Sequence, residues 1–198
     1  LQDITEQKLA EEEVNTLAFY DALTGLPNRR FLLERVDHAL VLSKRSDKYG
    51  ALLFIDLNNF KSLNDKMGHD KGDLLLQQVA NRLKSCVRES DIVARLGGDE
   101  FLLMLENLSE DWLDASDKTK IVGQKITRTI KRVYDLNGYA YYGTVSIGAA
   151  LLHSKFGKVD DVIKQADKMM YQAKVGNSSE LIIYHSDNAQ LSELVCSD

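Results

Sequence analysis

Between Ala51 and Leu57 the chain reads Ala-Leu-Leu-Phe-Ile-Asp-Leu, an apolar run interrupted by one carboxylate, Asp56. A strand that is apolar at every position, rather than at every second one, is covered on both faces. A chain built around it therefore calls for a central sheet between layers of helix. Asp56 is the exception within that run. An ionised carboxylate in such a place is costly unless it is neutralised, paired or bound to metal.

A second acidic element is Arg95-Leu96-Gly97-Gly98-Asp99-Glu100-Phe101. Apolar runs flank it, Ile92-Val93-Ala94 before and Phe101 to Leu105 after, and two such runs around a Gly-containing turn read as a β-hairpin. Its tip sets two glycines directly before two acids. Glycine lets a ligand approach the backbone closely, and adjacent carboxylates suit a hard cation such as Mg²⁺. Gly, Asp and Glu are also ordinary turn residues, and on residue type alone a solvated hairpin tip is the simpler account. If the Ala51–Leu57 strand lies beside the hairpin, Asp56 and Asp99 together can hold a cation. Spacing alone leaves that adjacency open.

The remaining elements follow from periodicity. Residues 1–20 are helix-forming and polar nearly all round, as in a bridge between domains or a helix that pairs with another chain. A loop over 21–30 holds the single proline, Pro27, and leads into a helix from about Arg29 to Ser46 with Asn28 as its cap. Asn59 to Met67 reads as a short helix, on which Lys61 and Asn64 share a face. Gly68 to Asp73 reads as a loop, with Asp73 opening a helix to about Val87. Residues 107–118 read as polar loop, then a helix follows from about Thr119 to Tyr134. Asn137-Gly138 signals a tight hairpin turn into a long strand through Val145 and Leu151. A helix over about 160–174, a strand at Leu181–Tyr184 and an unstructured tail complete the chain. The order β-α-α-β-β-α-β, with a closing helix and strand, is that of an α+β sandwich of ferredoxin-like topology.

The 198 residues are 44% hydrophobic, enough for one sizeable core. The net charge of −5 supplies no basic field for nucleic acid, so phosphate recognition falls to local lysines, backbone amides and metal. Two cysteines, Cys86 and Cys196, imply no disulfide framework and fit a reducing compartment. No apolar run reaches the length of a membrane span. The chain opens without Met and in helical character, as a fragment of a longer protein would, and that parent is free to carry a membrane anchor.

Several of these stretches in series resemble the GGDEF-type diguanylate cyclase family. They are D-A-L-T-G-L-P-N-R (21–29), F-I-D-L-N-N-F-K-S-L-N-D (54–65), G-H-D-K-G-D (68–73), G-G-D-E-F (97–101), T-V-S-I-G (144–148) and A-D-K-M-M-Y-Q-A-K (166–174). Together they cover about residues 21–184, and motifs in series are far more specific than any one of them. The resemblance implies a palm-type, antiparallel-containing central sheet flanked by helices, related to nucleotidyl cyclases and polymerase palms. It implies a catalytic domain over 21–185, a linker helix over 1–20 and a tail over 186–198. The opening D-I-T-E-Q-K resembles the exit from a PAS sensor domain, which implies such a sensor upstream in cis. A cytoplasmic location for the domain is implied as well.

The implied reaction joins two GTP molecules into cyclic di-GMP with release of two pyrophosphates, across a homodimer in which each domain holds one GTP. By resemblance, Asp56, Asp99, Glu100 and the backbone carbonyl of Leu57 hold two Mg²⁺ or Mn²⁺ ions per GTP, and Asp56, Asp99 and Glu100 are the catalytic acids. Asn64 and Asp73 read guanine. Lys61 and Lys174 meet the terminal phosphates, while Asn59, Phe60, Gly97 and Gly98 line the nucleotide. Arg88 and Asp91 form an inhibitory site for the product, cyclic di-GMP. Taken singly, Asp73 is also a good helix cap, the lysines are ordinary surface residues, and Arg88 with Asp91 is an ordinary exposed pair.

In one place the sequence departs from the family pattern. After Ala173-Lys174 the family continues with two residues, glycine, a basic residue and asparagine, whereas this chain has Val175-Gly176-Asn177-Ser178. The basic residue is missing, and with it one implied phosphate contact. Three functional readings stay open at this point: an active cyclase, a non-enzymatic receptor for cyclic di-GMP or GTP, and a regulator of a downstream phosphodiesterase domain.

Overall fold

The computed structural model describes residues 18–176, 181–184 and 192–193. The linker helix expected over residues 1–20 lies outside these as far as residue 17. So does most of the expected tail. The first described helix, α1 (Arg29–Ser46), begins at Asn28, whose side chain accepts from Phe31 N as a cap should.

The strand β1 (Tyr49–Leu57) is buried along almost its whole length, as its composition requires. The helices α2 (Phe60–Met67) and α3 (His69–Cys86) follow it. Next come the hairpin β2 (Ile92–Gly97) and β3 (Glu100–Ser109), then α4 (Trp112–Ile130). A small hairpin of β4 (Tyr134–Asp135) and β5 (Ala140–Tyr141) leads to β6 (Val145–Leu152), α5 (Val159–Val175), β7 (Leu181–Tyr184) and β8 (Ser192–Glu193).

The main sheet has the order β2-β3-β1-β6-β7-β8, antiparallel except between β6 and β7. Its first four strands, 2-3-1-6, with the intervening helices make the ferredoxin-like arrangement. Alternate residues of β1 feed two cores. Ala51, Leu53, Ile55 and Leu57 join Leu75, Leu76, Val79 and Leu83 of α3 and Ile126 of α4. Leu52 and Phe54 join Leu32 and Val36 of α1 and Val162, Ala166 and Met170 of α5. The methionines of α5, Met169 and Met170, are core residues, as their spacing suggests.

Five places differ from the sequence reading. The helix α3 starts at His69, with Gly68 in the capping position, so Asp73 lies inside the helix and is not its cap. Its second turn can close because Gly72, having no side chain, lets α2 approach through Asn64 and Phe60. The polar stretch 107–118 is not a loop: β3 runs to Ser109, and Asp111 then caps α4 by accepting from Asp114 N. The buried face of that first part of α4 is made of Ala115, Ser116 and Thr119, which carry little hydrophobic signal. At its other end α4 stops at Ile130 rather than Tyr134. There the Arg82 guanidinium donates to the carbonyls of Thr129, Ile130, Arg132 and Val133 and stacks on the Tyr134 ring at 3.5 Å, satisfying the open helix end from outside. Finally, the strand after Asn137-Gly138 breaks between Tyr141 and Val145, and part of the expected tail, Ser192–Glu193, pairs with β7.

The tightest contact between helix and sheet is at Gly148 of β6, where an added Cβ would overlap the backbone N of Met170 and the carbonyl of Ala166 in α5. Neither atom can rotate away. Gly148→Ala should therefore destabilise the domain by about 1–3 kcal/mol, read as a lowered urea midpoint at unchanged slope. A midpoint equal to wild type would refute this packing.

Candidate functional site

The end of β1 is where the acidic residues meet. Asp56 stands directly opposite Glu100 across β1–β3 and opposite Ser146 across β1–β6. Opposed residues in antiparallel strands point to the same face, here the face covered by α5. One residue on, Leu57 N donates to the Asp99 carbonyl at 3.3 Å, which holds Asp99 beside the strand end. The adjacency that spacing left open is therefore present. Asp56 is 5% exposed, and its Oδ1 accepts from Lys174 Nζ at 2.7 Å. Lys174 comes from the last turn of α5 and its side chain is 45% exposed.

These carboxyls are not comfortable as anions. Burial pushes the Asp56 carboxyl above its ordinary range; the Lys174 hydrogen bond pulls it down and Asp99 pushes it further up, with a net rise. Glu100 is raised too, by burial first and then by the charges of Asp56, Asp99 and Asp167, against a smaller opposing pull from Lys174. Asp167, on α5, was not singled out as a site residue from the sequence. The only signal for it was its place in the A-D-K-M-M-Y-Q-A-K stretch.

Carboxylate oxygens beside a backbone carbonyl are a hard donor set, and such a cluster disfavours its own ionisation until a cation arrives. The residues thus fit Mg²⁺ or Mn²⁺. Among the described residues no three acids, histidines or cysteines are already gathered in a metal-holding arrangement. Lys174 supplies the positive charge instead.

The hairpin tip is held from two sides. Gly97 and Gly98 both have positive φ, 146° and 51°, which a side chain would resist. Arg95 donates through Nε and Nη2 to the Gly98 carbonyl at 3.1 and 2.8 Å, and through Nη1 to both carboxylate oxygens of Asp21 at 3.0 and 3.1 Å. Asp21 also accepts from Thr24 N and Thr24 Oγ1. Burial raises the Asp21 carboxyl, but the bonds from Thr24 and Arg95 outweigh it and hold the group below its ordinary range. The loop carrying Asp21 is closed by Asn28, whose Nδ2 donates to the Ala18 carbonyl, and by the Tyr20–Pro27 bridge. Arg95 and Asp21 were missed as site residues because their contact spans 74 positions.

The expected guanine readers lie at the same end, since α2 follows directly from β1. The Asn64 Oδ1 is buried against Gly72 with no hydrogen-bond partner, and Asp73 is the next residue along α3, exposed. Asn59, at φ 61°, opens α2; Phe60 is 9% exposed, so its ring belongs to the core and only its backbone can face a ligand. Lys61 is exposed on α2. Asn58 is pinned to β6, donating to Thr144 Oγ1 and accepting from Ser146 Oγ.

Arg88 and Asp91 form a separate place. Asp91 Oδ2 accepts from Arg88 N and Oδ1 from Glu106 N, so the carboxylate fixes a turn, while the Arg88 side chain is exposed. They sit at the start of β2, about 17 Å along the strand from the tip.

A family model described as "Diguanylate cyclase, GGDEF domain" matches residues 18–180. The diguanylate cyclase DgcM of Escherichia coli is 35% identical over 88% of this chain and 40% of its own length. The bifunctional diguanylate cyclase/cyclic di-GMP phosphodiesterase MucR of Pseudomonas aeruginosa is 37% identical over 93% of this chain and 26% of its own. The solved GGDEF domain of TpbB, also called YfiN, from P. aeruginosa is similar at TM-score 0.73 and 35% identity, covering 78% of this chain and 88% of that one. The chain spans well under half the length of the curated relatives it first matches, 22% of the Bacillus subtilis signalling protein YkoW among them.

The raised Glu100 carboxyl yields a pH prediction. A group whose pKa is raised by folding costs the folded state stability above that pKa, and the cost disappears once pH falls below the ordinary glutamate value. In metal-free buffer Glu100→Gln should therefore melt higher than wild type near neutral pH and equal to it below about pH 4. A variant no more stable at neutral pH would show that Glu100 is not crowded by its neighbours.

Proposed function

The chain belongs to the GGDEF family of diguanylate cyclase domains, and from that membership we propose that it condenses two GTP molecules into cyclic di-GMP. The observation that carries the reading is the register at the end of β1. Asp56 faces Glu100, and Asp99 is hydrogen-bonded alongside through its carbonyl. That is a cluster of acids on a rigid strand pair, next to a lysine.

In this reading Asp56, Asp99, Glu100 and the Leu57 carbonyl would hold Mg²⁺ or Mn²⁺, which would supply a lower pKa for the attacking 3′-hydroxyl and offset charge on the α-phosphate. The oxygen–phosphorus bond forms at the α-phosphate as the bond to pyrophosphate breaks, and the hydroxyl proton must go to a base. Glu100 is suited to take it as a carboxylate fixed at the start of β3, opposite Asp56. Displacement at phosphorus needs little covalent help; what the chain supplies is placement. Gly97 and Gly98 let backbone approach the nucleotide, with Asn59 and Phe60 lining it through the start of α2. Lys61 and Lys174 meet the terminal phosphates.

Asp73 accepts from the N1–H and exocyclic amine of guanine, and Asn64 meets the remaining edge. Adenine lacks that pair of donors, which favours GTP. Each domain holds one GTP, so two copies must face each other, and turnover should rise with protein concentration. Arg88 and Asp91 bind the product and hold the copies apart; the exposed guanidinium suits phosphate and guanine. A sensor upstream would act through the linker, and the loop it enters is already tied to the tip by Asp21 and Arg95.

Concentrated protein incubated with GTP and Mg²⁺ should yield cyclic di-GMP on chromatography, accumulating and then stalling. Asp99→Asn should lower the rate at least about a hundredfold. Product formation unchanged in that variant would overturn the metal assignment, and no product from the wild type at any concentration would overturn the cyclase reading.

Removing the guanidinium at the distal turn should leave the initial rate unaltered. Arg88→Ala should therefore follow the wild-type rate at first and continue past the point where wild type stalls. A progress curve that stalls at the same product level would remove Arg88 from the inhibitory site.

A further inference from the structure

We infer that Lys174 is an internal cation that occupies the charge position of the acidic cluster in the free domain, so that a divalent metal must compete with it for Asp56 until a triphosphate takes the ammonium away. The inference rests on the reading of Asp56 as a metal ligand. Three observations carry it. The Lys174 ammonium is 2.7 Å from Asp56 Oδ1, an oxygen the metal would need. Asp56 is 5% exposed, so the pair is shielded on the carboxylate side and stronger than a surface ion pair. The Lys174 side chain is 45% exposed, leaving the ammonium a path to solvent and to a ligand.

The departure after α5 gives this arrangement its consequence. Lys174 is the basic residue of the last turn, and Val175-Gly176-Asn177-Ser178 brings no second one. The same ammonium must therefore serve Asp56 in the free domain and phosphate in the complex. It cannot do both at full strength. Metal and nucleotide then bind cooperatively, because a phosphate that draws Lys174 off frees the carboxylate, and a metal on the carboxylate frees the lysine. A domain built in this way binds metal weakly by itself and tightly with GTP.

The test is a Mn²⁺ titration of the whole chain without nucleotide, following free Mn²⁺ by electron paramagnetic resonance, for wild type, Lys174→Gln, Lys174→Arg and Asp56→Asn. Lys174→Gln should bind Mn²⁺ alone about tenfold more tightly than wild type, the size of an ordinary coupling between ligands. Lys174→Arg, which keeps the charge, should stay near wild type. With a non-reacting GTP analogue present, and protein-bound metal separated from nucleotide-bound metal by equilibrium dialysis, the order should reverse, with Lys174→Gln binding the Mn²⁺–nucleotide complex more weakly. Circular dichroism melts confirm that each variant is folded. Equal Mn²⁺ affinity in wild type and Lys174→Gln would overturn this inference while leaving the metal site standing, provided Asp56→Asn still loses GTP-supported Mn²⁺ binding. Absence of Mn²⁺ binding in wild type even with GTP would overturn the metal assignment and the inference together.

Discussion

The buried carboxylate at the end of β1 is the constraint on which the rest of the site depends. A strand covered on both faces cannot present an ionised acid at 5% exposure without help. Here help comes from a half-exposed lysine at the end of α5, a helix whose approach requires Gly148 in the neighbouring strand. Packing of the core and charge of the site are therefore one problem. The helix that buries Val162, Ala166 and Met170 also delivers Lys174 to Asp56 and sets Asp167 near Glu100.

The hairpin supplies the other half, and its geometry is not self-sufficient. Two glycines with positive φ make a tip that is easy to bend in many directions. Arg95 removes that freedom by gripping the Gly98 carbonyl with one edge of its guanidinium and Asp21 with the other. A planar fork with several donors can do this where a lysine could not. The result joins the loop at residues 21–28 to the acidic tip through one side chain that is mostly buried. The phenyl rings of Phe19 and Phe31, set edge to face, and the Arg30 guanidinium over Phe19 secure the start of that loop against α1.

The free domain carries a visible cost. Burial raises both Asp56 and Glu100, with Asp99 adding to the first and Asp56, Asp99 and Asp167 to the second, an arrangement that a stability-driven sequence would avoid. The Asn64 carbonyl oxygen is likewise buried without a partner. The crowded carboxyls lie at the end of the sheet where β1, α5 and the hairpin tip converge, while the opposite face of β1 is plain hydrocarbon.

By itself the sequence determined the central strand, the hairpin, the helices with strong apolar periodicity and the order that makes the sandwich, because each of these is written in local pattern. It also determined the family, since several motifs stand in series. Its errors were confined to element boundaries, but their causes were not all local. The start of α4 is buried with Ala115, Ser116 and Thr119, which periodicity of large apolar residues does not register. The end of α4 is set by Arg82, some 47 to 51 positions away. The start of α3 depends on Gly72 fitting against Asn64 rather than on a cap at Asp73. Only the tertiary structure decided which charges meet. The pairing of Asp56 with Lys174 spans 118 positions and that of Arg95 with Asp21 spans 74. No local pattern encodes such contacts, because they exist only once the sheet register and the helix packing have brought the ends of separate elements to one place.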